Sequence, residues 1–163
     1  MTTANGENTI MTAFGRFIDL WTPRVDTIDI HDIAHSLGMI CRFGGHIRRF
    51  YSVAQHSILV SHLVKPELQM AGLLHDAAEA YLGDVTRPLK RLLPEYQQLE
   101  REMETVITTR FELDDLKPPE VAEADMTALV TEAKELCHQN WEYWRMPASV
   151  SYTHLTLPTS FLV

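Results

Sequence analysis

The chain has 163 residues, 45% of them hydrophobic, and carries a formal net charge of −8 with a pI near 5.4. That length suits one compact domain with a real core, and that composition excludes a disordered chain. The acidic balance argues against a nucleic-acid polymer as partner, because no overall positive field attracts a phosphate backbone. A small anion remains admissible at a local basic pocket or a metal. Cys41 and Cys137 lack CxxC spacing and read as free thiols of a reducing compartment. No apolar run of about 18 residues is present to span a membrane. The polar stretch from Met1 to Ile10 lacks a signal-peptide core, so the expected setting is cytoplasmic, with no membrane partner. Met11 is an alternative start.

In chain order, residues 1–27 read as an irregular N-terminal segment, with one or two short strands between Phe14 and Thr27. From Asp29 to Cys41, apolar Ile30, Ile33, Ala34, Leu37, Ile40 and Cys41 follow a 3.6-residue period and predict a helix. Phe43-Gly44-Gly45 ends it. Ser52 is placed to cap a second helix through Val53, Ile58, Leu59 and Leu63. Pro66 opens a third that reaches about Leu82, where Gly83 stops it. Pro88 and Pro94 bracket a short helical turn. A fourth helix, Glu95 to Phe111, turns Leu99, Met103, Val106 and Ile107 inward, and Pro118-Pro119 starts a fifth through Val121, Leu129 and Leu136. The sum is an all-α domain over residues 28–148, without repeats or low-complexity tracts. Ser151 to Thr159 is different: mostly uncharged, without helical period, and similar to a translated sequencing-library adapter. Residues 149–163 are therefore expected to be a non-native tail, and Tyr152 and His154 receive no function. An extended segment or edge strand is the alternative.

Imidazole and carboxylate together suit a divalent transition metal. His75-Asp76 sets both side by side in the apolar run Ala-Gly-Leu-Leu-His-Asp-Ala-Ala-Glu-Ala. A carboxylate in such surroundings is costly without a partner, and a metal is a natural one. A second pair, His31-Asp32, lies at a polar helix start, where Asp29 or Asp32 reads as a charge favoured by the helix dipole. Glu79 lies four residues after His75, on the same helix face, where a carboxylate can orient or deprotonate a water. Asp125 is framed by alanines in Val-Ala-Glu-Ala-Asp-Met; a surface aspartate is the bland alternative.

The order His, then His-Asp, then a distant Asp resembles the HD phosphohydrolase superfamily. It is carried by Ala54-Gln55-His56-Ser57, Leu74-His75-Asp76 and Ala124-Asp125, and covers the chain from about Ile28 to Leu136. The resemblance implies an HD-domain helical bundle. It also implies one divalent transition metal ion (Mn, Co, Fe, Zn or similar) held by His56, His75, Asp76 and Asp125. Within the superfamily, the stretch His75 to Asp84 resembles the HDxxExxxGD motif of bacterial 5′-deoxynucleotidases and their phage dATP-hydrolysing relatives. Thr86-Arg87-Pro88-Leu89-Lys90 resembles that group's T-x-P-x-K element, and Arg42-Phe43 stands where the group has Arg-Trp.

Carried over, Glu79 is the catalytic carboxylate, Arg42 binds phosphate, Phe43 lines the nucleoside pocket and Asp84 faces the sugar. Arg49 and Lys90 are further substrate candidates, since cations near a metal suit phosphate oxygens. Phe43 in place of tryptophan, and an Arg42-to-His56 interval one residue shorter, depart from the group and bear on base and sugar preference. The implied function is a (deoxy)nucleoside 5′-monophosphate phosphatase. A deoxynucleoside triphosphate triphosphohydrolase and a non-catalytic nucleotide-binding protein are the alternatives. Similar enzymes assemble as dimers or larger, so a homo-oligomer is expected. His35, His46, His62 and His138 read as structural, as do Trp21, Trp141 and Trp144; His46 and Trp21 are the ones to watch near a pocket.

Overall fold

A computed structural model describes residues 6–139. Seven helices are present in it: Ile30–Met39 (α1), Val53–Leu63 (α2), Gln69–Leu74 (α3), Glu79–Leu82 (α4), Arg87–Lys90 (α5), Pro94–Arg110 (α6) and Pro119–Leu136 (α7). Thr9–Met11 (β1) and Phe17–Asp19 (β2) form an antiparallel hairpin with Ile10 opposite Ile18. The all-α expectation holds, with one small hairpin added. Its first strand precedes the Phe14–Thr27 window in which strands were expected. Trp141, Trp144 and residues 149–163 lie outside the described part. No helix among the described residues is long and apolar enough to cross a membrane.

Local chemistry sets several helix ends. Asp29 caps α1 by accepting from the His31 N–H at 2.9 Å. Ser52 and Gln55 form a reciprocal capping box at α2. The N-terminal segment is held by charge and by packing. Arg16 bonds Asp29 at 2.8 Å and Asp32 at 3.0 Å, and Ile18 is fully buried in the core. Asp32 therefore tethers the hairpin to α1, which makes the His31-Asp32 pair structural.

The expected third helix is not continuous, which corrects the sequence reading. It runs as a short 3-10 turn at Pro66–Leu68, then α3, and tightens between His75 and Ala78 before α4. The N–H groups of Ala77 and Glu79 reach back only three residues, to Leu74 O and Asp76 O. The His75 ring bonds Gly72 O at 2.7 Å, the carbonyl that the Asp76 N–H would use in a regular α-helix. On α2, Ile58 is partly exposed, while Val53, Leu59 and Val60 are buried.

Two apolar clusters flank the centre of the molecule. One joins Ile18, Ile33, Val53, Leu74, Ala77, Tyr81, Met103 and Ile107. The other joins Tyr51, Leu59, Val60, Ala71, Val121, Ala124, Ala128 and Leu136. α2 and α7 meet in the second cluster, and α2 crosses α3 closely at Gly72. A Cβ there would sit 3.1 Å from Ser61 Cα, a backbone atom that cannot rotate away. Gly72→Ala is expected to part the two helices and destabilise the protein by about 1–3 kcal/mol. Urea denaturation measures this, and an unchanged midpoint would show that the crossing yields freely.

α6 ends in a Schellman motif. The Leu113 N–H bonds Thr108 O at 3.0 Å and the Glu112 N–H bonds Thr109 O at 3.4 Å. Glu112 takes the left-handed position, with φ 54°, usually held by glycine. Glu112→Gly relieves that strain and is expected to raise stability by about 0.5–1 kcal/mol, read as a higher thermal midpoint.

Candidate metal centre

The three long-range contributors arrive on separate elements. α2 presents His56, the tightened turn after α3 presents His75 and Asp76, and α7 presents Asp125. Both histidines are buried. Their Nε2 atoms face each other at 3.2 Å. Asp125 Oδ1 lies 3.2 Å from His56 Nε2 and 4.0 Å from His75 Nε2. Asp76 Oδ2 lies 3.1 Å from His75 Nε2 and 3.7 Å from His56 Nε2. His56, His75 and Asp125 form a possible metal-binding triad, with one donor atom from each inside a 4.8 Å span. Donors about 2.0–2.2 Å from one ion lie about 3–4.4 Å from each other, so these spacings fit a shared cation.

The ring orientations fit as well. Gly72 O can only accept, so His75 Nδ1 donates to it and Nε2 presents its lone pair to the cluster. His56 Nδ1 lies 2.7 Å from Glu132 Oε1. That carboxylate is wholly buried. Burial opposes its charge, but His56 and Arg42 hold its pKa below the usual glutamate value. A carboxylate behind a histidine fixes the ring and raises its basicity as a ligand. Burial and Arg42 also work against a charged His56, yet Glu132 and Asp125 outweigh them and raise its pKa to about 9. Asp76 behaves in the opposite sense. Against the cost of burial, His75, His56 and Arg42 hold its carboxyl well below the ordinary range.

Glu132 is the site residue that the sequence reading missed. The available signal was its place seven residues after Asp125, two turns on along the same face of α7. It also accepts from Arg42 Nη2 at 3.1 Å. Arg42 is buried, lies 3.8 Å through Nη1 from Asp76 Oδ2, and keeps an Nε without a hydrogen-bond partner. Its guanidinium sits 5.3 Å from the Phe43 ring centre. Phe43 itself has φ 56°, a left-handed conformation that a bulky residue adopts only under constraint.

The remaining expected residues separate into two groups. Glu79 is buried, and its Oε2 has no hydrogen-bond partner. Burial first, then the charges of Asp76 and Asp84, push its pKa well above the glutamate value. Burial and Asp76 likewise raise Asp84. Lys90 acts electrostatically on both carboxylates while its ammonium bonds Glu100 at 2.5 Å. Arg49 is exposed and makes no hydrogen bond or ion pair to the cluster among the described residues. His46 and His62 are exposed, as is Trp21, so none of them belongs to the buried cluster.

Fold and site together define a mostly helical domain built around a histidine–aspartate donor set. No known family model matches the chain. It is 42% identical over 130 residues to the uncharacterized protein YfdR of Escherichia coli K12, covering 80% of this chain and 73% of that protein. It is also 34% identical over 130 residues to an uncharacterized Rhodobacter capsulatus protein, covering 74% of this chain and 66% of that one. The chain belongs to the YfdR family.

Proposed function

We propose that this protein is a metal-dependent phosphohydrolase of the HD type that acts on a nucleotide, as a (deoxy)nucleoside 5′-monophosphate phosphatase. The observation that carries the reading is the meeting of His56, His75 and Asp125 donor atoms, with Asp76 against both histidines, beside the buried Glu79, whose Oε2 has no hydrogen-bond partner, and the Arg42 guanidinium. The donor chemistry, imidazoles with carboxylates, would suit a divalent transition ion, which His56, His75 and Asp125 would hold with Asp76 beside them. A bound divalent ion supplies a Lewis acid that polarises a phosphoryl oxygen and acidifies a water.

The chain's own groups supply the rest. Glu79, with its pKa raised by burial, takes the proton of the attacking water at Oε2, an atom with no competing donor. Arg42 offers Nε and Nη1 to the charge that develops on the phosphate oxygens. Glu132 keeps both Arg42 and His56 aimed. Asp84 is set to meet the sugar, and Phe43 to cover the nucleoside.

The test is reconstitution of metal-stripped protein with Mn, Co, Fe or Zn and assay against nucleoside mono- and triphosphates. Release of inorganic phosphate from monophosphates is expected. Tripolyphosphate from triphosphates would instead indicate a triphosphohydrolase. A His75→Ala variant with the metal content and turnover of the wild type would rule out the assigned centre.

A further inference from the structure

Arg87 meets the donor cluster at Asp125, whereas Arg42 meets it at Asp76. Its Nη2 lies 2.7 Å from Asp125 Oδ2, whereas Asp125 Oδ1 faces His56 Nε2 at 3.2 Å. Asp125 therefore turns one oxygen to the histidines and the other to a guanidinium. The Arg87 side chain is 54% exposed, while that of Arg42 is 10% exposed. Arg42 is already countered by Glu132 and approached by Asp76. The Arg87 guanidinium has only Asp125 as a hydrogen-bond partner among the described residues, so most of its five N–H donors remain available.

The base of this side chain is anchored. Tyr96 Oη donates to Gly83 O at 2.9 Å, Gln97 Nε2 donates to Lys90 O at 2.7 Å, and the Lys90 ammonium bonds Glu100. These contacts tie the segment 83–90 to α6 at both ends. Thr86, next to Arg87, also borders the Arg42 loop: its Cγ2 lies 3.8 Å from where a Cβ on Gly44 would stand. The exposed guanidinium thus reaches Asp125 from a fixed turn, while the buried guanidinium of Arg42 lies against Asp76.

We infer that Arg87 is the solvent-side arm of a two-arginine clamp on the substrate's terminal phosphate, with Arg42 as the buried arm. The inference rests on the phosphohydrolase reading and adds a substrate-contacting residue to it. A guanidinium fork matches two phosphate oxygens and can share them with Asp125 without leaving its place. The chemistry selected is a singly esterified phosphate, which carries two charges and unshared oxygens for both arms.

The experiment uses the full chain loaded with Mn(II) and measures the dissociation constant of inorganic phosphate, and separately of Mn(II), by calorimetry. Arg87→Ala is expected to weaken phosphate binding about tenfold to a hundredfold and leave Mn(II) affinity within about threefold. Arg87→Lys, which keeps the charge and loses the fork, is expected to fall between. In nucleotide hydrolysis, the Ala variant raises KM by a similar factor and lowers kcat less. Phosphate affinity unchanged in Arg87→Ala overturns the clamp and leaves the phosphohydrolase reading standing. Mn(II) affinity that falls tenfold with phosphate affinity retained overturns it too, by making Arg87 a support for Asp125. A wild type that binds Mn(II), binds no phosphate and hydrolyses no nucleotide overturns both.

Discussion

Replacing Glu132 by alanine is expected to destabilise the protein by about 3–5 kcal/mol and to weaken divalent metal binding about 10- to 100-fold. The first effect follows from what remains behind. Glu132 is wholly buried and serves two buried donors: it accepts from Arg42 at 3.1 Å and from His56 Nδ1 at 2.7 Å. Without it, the Arg42 charge keeps an ion pair only with Asp76, at 3.8 Å, and the weaker fields of Asp125 and Glu79, among the described residues. The second effect follows from His56, whose ring loses the partner that holds Nδ1 as the donor and turns Nε2 toward the cluster. Glu132→Gln separates the two effects. Its amide oxygen can still accept from His56, but its amide nitrogen cannot accept from Arg42. The glutamine variant should therefore keep more of its metal affinity than of its stability. Urea denaturation and Mn(II) titration measure both. An alanine variant within about 1 kcal/mol of the wild type, with the same metal affinity, would show that Glu132 is incidental to the centre.

Glu79→Gln is expected to lower kcat by about 10²- to 10⁴-fold while metal binding is retained. The amide that replaces the carboxyl fills nearly the same volume but cannot take a proton. The same substitution should also stabilise the metal-stripped protein. Burial, Asp76 and Asp84 raise the pKa of Glu79 above its unfolded value, so the folded state holds this proton more tightly than the unfolded chain. Stability from such a group falls as pH rises from the unfolded glutamate pKa toward the folded one. Glutamine removes that loss. The gain should thus be present at pH 7 and shrink toward pH 4, where glutamate is protonated in both states. Loss of turnover with gain of stability is the mark of a residue kept for chemistry. Loss of stability at neutral pH, or full activity in the glutamine variant, would contradict the assignment.

Much of the helical plan was legible in the chain. Ser52 with Gln55 three residues later marks the start of α2, Pro119 marks α7, and Gly83 with φ 81° stops α4, all through backbone chemistry confined to a few neighbours. The interruption between α3 and α4 was not legible. It depends on the His75 ring reaching Gly72 O, and nothing in the hydrophobic period reports a side chain that competes with the backbone. β1 escaped for a related reason: three residues paired across a hairpin carry too little alternation to stand out.

The candidate site divides along the same line. His75-Asp76 stood out because a charged pair in an apolar run needs a partner, and the order of His56, His75-Asp76 and Asp125 follows from the sequence alone. Helical signals around His56 and Asp125 also put these two on helices, as α2 and α7 do, whereas His75-Asp76 falls in the tightened turn between α3 and α4. Only the tertiary structure brought those elements together, through the Gly72 crossing and the second apolar cluster. It also supplied the partners no spacing announces: Glu132 behind His56 across 76 residues, Arg42 against Glu132 across 90, and Arg87 on Asp125 across 38. Helical periodicity states which face of an element turns inward. Which charges then meet is decided by packing, because burial makes an unpaired charge too costly to keep and each group is held where an opposite one stands.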